Sequence, residues 1–192
     1  PGCAGAHAVA GKKKRIARQS GVQIVRLVEE HICPRDIVTQ EMLDLSARVC
    51  VSVGGSTNIM LHYPAIAREG RLHMTMKELG EISKTTPYLA KIKPSGIHTM
   101  LDFDEAGGVG AVLKALSGMV NLDLMTVNGK THRQNTDQLT IWNQEVIRTV
   151  EQAYAPEGSI AVLHGNLAPK GCVVKQSAVA PQMRKHTGPA RC

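Results

Sequence analysis

The chain has 192 residues, of which 43% are hydrophobic and 20% charged, and its formal net charge is +7. This composition is that of a globular protein, and no apolar run approaches the ~18 residues of a membrane span, so we expect no membrane partner. The positive charge raises the question of nucleic acid. Only 3% of the residues are aromatic, however, so side chains for base stacking are scarce and we expect no nucleic-acid partner.

The beginning of the chain and its cysteines bear on whether it is a fragment and on its cellular compartment. The chain opens without Met, as a small-residue loop, which predicts an internal fragment of a longer protein. The basic run Lys12–Arg15 follows no apolar stretch, so it is interpreted as the solvated start of a helix rather than a signal peptide or a binding patch. Five scattered cysteines without a C-x-x-C pair predict reduced thiols and a cytoplasmic protein.

The first half of the sequence predicts helices separated by short turns. Apolar residues recur at helical spacing over about 12–31, 39–53, 57–69 and 75–86. Glycine or proline ends each segment, at Pro34, Gly54, Gly70 and Pro87. In the first helix, one face consists of Ala17, Ile24, Leu27, Val28 and His31. Pro64 predicts a kink in the third helix, and Thr75 with Glu78 forms a capping-box pattern at the start of the fourth.

The second half changes from helical to strand periodicity. One more helix is expected between Gly107 and Gly118, and Thr126–Thr131 is typical of a tight Asn-Gly turn between short strands. Residues 132–158 are polar and mixed, which favours a linker or domain boundary. Beyond them we expect strands at Ile160–Leu163 and Cys172–Lys175, joined by Gly165–Gly171.

These elements predict an α/β fold class in two parts. Residues 1–145 are interpreted as the mostly helical, C-terminal part of an N-terminal α/β domain. Residues 146–192 are interpreted as the start of a β-rich, barrel-like C-terminal domain.

The stretch Gly54–Asn58 is the first candidate binding site. Gly54 and Gly55 permit a sharp turn and close approach of a neighbour. Ser56, Thr57 and Asn58 are good N-cap residues, so a helix should begin among them with unpaired N–H groups facing the glycine turn. Such a helix start suits a carboxylate or phosphate. The alternative is a helix–turn–helix corner with an ordinary cap.

A second candidate loop contains Ser95, Gly96 and His98, next to the turn at Lys93–Gly96. A lone histidine is more often a structural hydrogen-bonding group than a catalyst, so the role of His98 stays open between the two. His62, inside a helix, and Lys130, on a turn, are interpreted as structural and solvated residues, respectively.

An ordered set of motifs resembles the family of dihydroxy-acid, phosphogluconate and sugar-acid dehydratases. The motifs are Gly54–Asn58 with His62–Glu69, Lys93–Gly96 with Asp102 and Glu105–Gly108, Thr126–Thr131, Gly165–Pro169 and Gly188–Arg191. They cover nearly the whole chain in family order. The resemblance implies a hydro-lyase that converts a small 2,3-dihydroxy acid into a 2-keto acid. It also implies an iron–sulfur cluster and Mg²⁺ in the full-length enzyme, and a homo-oligomer.

The departures from the family pattern concern its chemistry. The family's C-D-K-x-x-P-G motif and its S-L-T-D-G-R-x-S-G motif are both absent, and no cysteine here matches a cluster ligand. The resemblance therefore assigns no catalytic or metal-binding residue to this chain, and we expect it to be inactive alone. It leaves Gly54, Gly55, Ser56, Thr57, Asn58, Ser95, Gly96 and His98 as candidate substrate-binding residues. The alternative function is a small basic module that binds nucleic acid or a protein.

Overall fold

The structure is a computed structural model that describes residues 2–189. Its helices are α1 (Gly11–Glu29), α2 (Pro34–Ile37), α3 (Gln40–Ser52), α4 (Ile59–Gly70), α5 (Met76–Lys84), α6 (Met100–Glu105), α7 (Gly108–Ala115) and α8 (His132–Thr136). Strands β1 (Ala161–Gly165) and β2 (Ala168–Val174) follow, and then two 3₁₀ turns, Gln176–Ala178 and Pro181–Met183. Part of the Gly188–Arg191 motif, and Cys192, lie outside the described residues.

Threonine side chains begin four of these helices, at Thr39, Thr75, Thr99 and Thr131. The predicted capping box of α5 is confirmed, because the Glu78 amide donates to Thr75 Oγ1 and the Glu78 carboxylate accepts from the Thr75 amide at 2.7 Å. Each such cap satisfies N–H groups that have no partner within the helix. The local sequence therefore fixes where these helices start.

The apolar face of α1 is largely exposed. Only Leu27 is buried, whereas Ile24 and Val28 keep 56% and 68% of their surface exposed. The helix also ends earlier than expected, at Glu29, and His31 adopts a left-handed conformation with φ 57°. The interpretation of Lys12–Arg15 as a solvated helix start is confirmed, and Lys12 pairs with Asp104 at 2.7 Å. Periodicity reports an apolar face, but whether another element covers that face depends on tertiary packing.

The two larger of three buried clusters in residues 2–189 join the elements of the fold. The first joins α3, α4 and α5 through Val51, Ile59 and Leu79, and it includes Ile160. The second joins α6 and α7 to the buried residues Leu89, Ala90, Val146 and Ile147. Consequently, Val146, Ile147 and Ile160 pack against the helices, although the sequence of residues 132–158 favours a linker or domain boundary. The short polar pattern hid the contacts that these residues make with distant helices.

Strands β1 and β2 form an antiparallel hairpin in which Ala161 pairs with Val174 and Leu163 with Cys172. The switch from helix to strand is confirmed, but β2 begins at Ala168, so the expected Gly165–Gly171 connection is shorter than predicted. Val162 and Val173 pack against the first core cluster. Eight helices and one two-stranded antiparallel sheet among residues 2–189 are compatible with an α/β fold.

The turn at Thr126–Thr131 also forms as predicted. The Gly129 amide donates to the Thr126 carbonyl oxygen at 3.0 Å, and Gly129 has φ 76°. The expected short strands are reduced to a single bridge between Met125 and Thr131. Among the helices in residues 2–189, none combines the length and apolarity that crossing a membrane requires.

Candidate functional site

A mostly buried, extended segment, Thr86–Lys91, contacts both candidate loops. The amides of Leu89 and Ala90 both donate to the carbonyl oxygen of Ser52, at the end of α3. The Tyr88 amide donates to the Ala155 carbonyl oxygen at 2.9 Å, which ties this segment to the chain just before β1. Because both sides of the segment are hydrogen-bonded to core elements, it is a fixed platform for the loops above it.

The turn after α3 lies directly on this platform. Gly54 is buried with φ 80°, and a Cβ at this position would stand 3.1 Å from the Tyr88 hydroxyl oxygen. Gly55 is closer still to its own helix, because its Cβ would stand 2.6 Å from both the carbonyl oxygen and Sγ of Cys50. Both glycines are therefore required by space, as the sequence predicts for this position.

Ser56, Thr57 and Asn58 are exposed at the start of α4. The Ser56 Oγ accepts from the Asn58 amide at 3.2 Å, in the turn just before α4 begins. The amides of Ile59 and Met60 donate to the carbonyl oxygens of Ser56 and Thr57. The expectation of several unpaired N–H groups is therefore wrong for these three amides, because a tight first turn pairs them internally. The exposed hydroxyl and amide side chains are the groups left for a ligand.

The second candidate loop touches the same platform through Lys91. A Cβ on Gly96 would collide with the carbonyl oxygen of Lys91, so this glycine too is required by a close approach. The loop closes through a 2.7 Å hydrogen bond from the Lys93 amide to the His98 carbonyl oxygen. The Ser95 hydroxyl is buried and has no hydrogen-bond partner within residues 2–189. The structure thus brings Gly54 and Gly96 to one segment, and it leaves His98 half-buried on that loop.

Sequence reasoning missed Tyr88 and Lys91, the residues on which the two loops converge. Tyr88 is only 3% exposed, although it lies outside every helix and strand. The available signal was the run Thr86–Ala90, which follows a helix and contains one of three tyrosines in the chain. That run is too short to distinguish a buried connection from a surface loop by periodicity.

Burial raises the pKa values of two side chains, Cys50 and Tyr63, on the helices that flank the Gly54–Asn58 turn. Burial raises the pKa of the Cys50 thiol, and a backbone hydrogen bond from Ser56 and the charge of Lys175 oppose part of that shift. Burial also raises the pKa of Tyr63, on α4, to about 12, against the opposing effect of a hydrogen bond with Ser46. Both groups therefore stay neutral at physiological pH, and Cys50 lacks the thiolate character of a metal-binding or nucleophilic cysteine.

The side chains of residues 2–189 do not form a site for the cofactors that the resemblance implies. Within residues 2–189, no three His, Cys, Asp or Glu side chains lie close enough together to hold a metal ion. Cys3, Cys33, Cys50 and Cys172 are free thiols. The described residues therefore do not fit an iron–sulfur cluster or Mg²⁺, which need several converging sulfur or oxygen ligands.

Comparison with known protein families gives two matches that cover most of the chain. Residues 1–135 match the family described as dihydroxy-acid/6-phosphogluconate dehydratase, N-terminal. Residues 145–192 match the C-terminal part of the same family.

Curated relatives are similar along the whole chain. Dihydroxy-acid dehydratase 1 of Methanosarcina acetivorans is 52% identical over 195 residues, covering 100% of this chain. The dihydroxy-acid dehydratases of Methanosarcina barkeri and Acetivibrio thermocellus are 50% and 46% identical, again over the whole chain. This chain spans 35% of the length of each of the three relatives. The similarity gives no support to the alternative of a nucleic-acid-binding module.

Proposed function

Because this chain belongs to the dihydroxy-acid/6-phosphogluconate dehydratase family, we propose that it is part of a hydro-lyase. The proposed reaction removes water from a small 2,3-dihydroxy acid, a branched-chain precursor or a sugar acid, and yields a 2-keto acid. The observation that carries this proposal is the 52% identity with a dihydroxy-acid dehydratase across the entire chain. The full-length protein is a protein of the relatives' length that contains this chain.

The reaction sets clear requirements for a binding site. A base removes the proton from C2, the hydroxyl on C3 leaves with a proton as water, and the resulting enol tautomerises to the 2-keto acid. The substrate carries one carboxylate and at least two hydroxyls, so it needs hydrogen-bond donors for the anion and both donors and acceptors for the hydroxyls.

We propose that Gly54–Asn58 meets part of this requirement. The exposed side chains of Ser56, Thr57 and Asn58 present hydroxyl and amide groups together at the start of α4. The helix dipole adds a favourable field for an anion at this end, by about 0.3–1 kcal/mol. Gly54 and Gly55 contribute by letting the backbone pass close to Tyr88 and Cys50, which fixes the direction of the turn.

Ser95, Gly96 and His98 are proposed as a second set of substrate contacts. The support is that Gly96 and Gly54 both pack against the Tyr88–Lys91 part of the platform. The buried hydroxyl of Ser95 has unused hydrogen-bonding capacity, which a ligand oxygen or water would satisfy.

The remaining features of the full-length protein are proposals from the family resemblance. They are an iron–sulfur cluster and Mg²⁺ held by residues outside those described here, a homo-oligomeric assembly and a cytoplasmic location. We also propose a division into an α/β domain, 1–145, and a β-rich, barrel-like domain that begins in 146–192. The family descriptions change between residues 135 and 145, which supports this division.

An activity assay on the full-length protein tests the proposed function. The protein is purified without oxygen and incubated with 2,3-dihydroxy-3-methylbutanoate, gluconate and 6-phosphogluconate in separate reactions. A 2-keto acid, detected as its dinitrophenylhydrazone and by mass, should form from at least one of them. The absence of keto acid from all three, in a preparation with its metals in place, would contradict the proposal.

A further inference from the structure

A cavity of about 350 Å³ lies beside the platform, between Tyr88 and the segment that follows β2. Tyr88, Lys91, Tyr154, Gln176, Ser177 and Arg184 line it. None of these residues belongs to the candidate loops, although Gly54 packs against the Tyr88 hydroxyl from the other side. The cavity therefore lies next to the candidate site but is lined by different residues.

The walls of the cavity are fixed by hydrogen bonds to the core. Gln176 Nε2 donates to the Gly158 carbonyl oxygen at 2.6 Å, and the Ser177 amide donates to the Ser159 carbonyl oxygen at 3.2 Å. Gly158 and Ser159 are in turn bonded to Ser83 and Val51, in α5 and α3. A site whose walls are held in this way does not need to form on binding, which lowers the cost of binding a ligand.

Two of the residues that line the cavity carry hydroxyls without a hydrogen-bond partner among residues 2–189. The oxygens of Tyr88 and Ser177 are buried, and neither makes a hydrogen bond within residues 2–189. They are neighbours without hydrogen-bond geometry: burial raises the pKa of Tyr88, and the nearby Ser177 opposes part of that rise. A buried hydroxyl left unpaired is costly, so native structures seldom keep one without a water or ligand to bind.

The charged groups at the cavity favour an anion. Lys91 and Arg184 line it, and neither forms an ion pair with a carboxylate in the part of the chain described. Lys91 Nζ lies 4.9 Å from the centre of the Tyr154 ring, which holds its ammonium over the aromatic face. Glu157 is the carboxylate on the lining, and it is exposed. The lining therefore carries two positive side chains, Lys91 and Arg184, and one exposed negative side chain, Glu157.

We propose that this cavity is an oxyanion-binding site that takes the carboxylate or phosphate group of a small hydroxylated ligand. The Arg184 guanidinium and the Lys91 ammonium bind the oxyanion, because charge-assisted hydrogen bonds to carboxylate or phosphate are the strongest that side chains offer. Rotation of the Ser177 side chain brings its hydroxyl, with that of Tyr88, to an oxygen of the same ligand. Anion binding here would hold whichever reaction the full-length protein catalyses.

Calorimetric titration of the full-length protein at low ionic strength tests the proposal. Inorganic phosphate probes the phosphate source, and gluconate probes a hydroxylated carboxylate; the tighter of the two identifies the source. Arg184→Gln and Lys91→Gln should each weaken binding of that probe about tenfold, as expected when a charged hydrogen bond is lost. Tyr88→Phe, which removes only the hydroxyl, should weaken it several-fold.

Matched variants separate this site from general effects of charge and structure. Lys170→Gln removes an exposed charge from β2 and should leave binding unchanged. Tyr63→Phe removes a tyrosine hydroxyl on α4, outside the lining of the cavity, so it too should bind normally. If Tyr88→Phe fails to fold, the two cation variants, which change side chains at the solvent-accessible lining, still decide the question.

Failure of the proposal is distinct from failure of the proposed reaction. The proposal is overturned if neither probe binds, or if binding survives both cation variants at wild-type strength. Keto-acid formation, measured on the same preparations, reports on dehydration separately, because inorganic phosphate cannot be dehydrated and its binding is read without turnover.

Discussion

The amide of Gly55 donates a 2.9 Å hydrogen bond to the carbonyl oxygen of Cys50, the residue on which Gly55 also packs. This contact turns the chain out of α3 and directs Ser56–Asn58 toward solvent. Any side chain at position 55 would meet backbone and sulfur atoms at the same time. The shape of the candidate site therefore depends on the absence of a side chain at Gly55.

Gly55→Ala should destabilise the protein. The added Cβ would stand 2.6 Å from the Cys50 carbonyl oxygen and Sγ, so the turn must shift. Overpacking of this kind costs about 1–3 kcal/mol. Urea denaturation at pH 7 measures the change in the free energy of unfolding.

The matched control for that substitution is Gly21→Ala, inside α1. Nothing lies within 4 Å of a Cβ at Gly21. Alanine in a helix interior is favoured over glycine by about 0.5–1 kcal/mol, so this variant should be slightly more stable. Equal stability of the two variants would show that the contact with Cys50 does not constrain the turn.

Asn58→Ala in the full-length protein separates binding from capping at the start of α4. Asn58 is exposed, and its side chain makes no cap hydrogen bond. If it binds substrate, kcat/KM should fall about tenfold or more while the melting temperature barely changes. Steady-state kinetics and thermal melting of the same preparation measure both effects.

Ser56→Ala is the companion variant. It removes the hydroxyl that accepts from the Asn58 amide at 3.2 Å, and loss of one such hydrogen bond costs about 0.5–1.5 kcal/mol. The idea of a substrate-binding turn fails if Asn58→Ala melts early and keeps normal kinetics per folded molecule.

Cys50 should be the slowest of the described cysteines to react with iodoacetamide. Burial raises the pKa of its thiol, and alkylation requires an accessible thiolate. Cys3, Cys33 and Cys172 are exposed. Peptide mass mapping after timed alkylation at pH 8 measures each rate. In urea the difference should disappear, and a Cys50 rate equal to that of Cys33 in the folded protein would contradict the structure.

Tyr63 should make stability depend on pH in the alkaline range. Its pKa is raised from 10.0 in the reference state to about 12 in the folded state. The folded protein therefore keeps a proton that the unfolded chain has lost, so the stability is fully present below pH 10 and falls as the pH rises toward 12. The loss should reach about 2 kcal/mol.

Comparison with Tyr63→Phe isolates that effect from other alkaline titrations. Free energies of unfolding measured at pH 9, 10 and 11 should fall more steeply for the wild-type protein than for the variant. Parallel pH profiles would mean that the Tyr63 hydroxyl is not held in its neutral form by the fold.

The sequence by itself determined the features that depend on neighbours in the chain. The capping box at Thr75 and Glu78 and the Asn-Gly turn at Gly129 form as predicted. Each is decided by backbone geometry and hydrogen bonds within a few residues, which the order of residue types specifies directly. The family motifs were readable for the same reason, because they are short and keep their order.

Only the tertiary structure decided which surfaces meet. Ile24 and Val28 carry an apolar helical pattern yet stay exposed, whereas Val146 and Ile147 lie in a polar stretch yet are buried. The cavity between Tyr88 and Arg184 joins residues almost a hundred positions apart, and no local pattern marks either of them. Burial is settled by contacts between distant segments, whose chain-entropy cost is met by the whole core together rather than by any one segment.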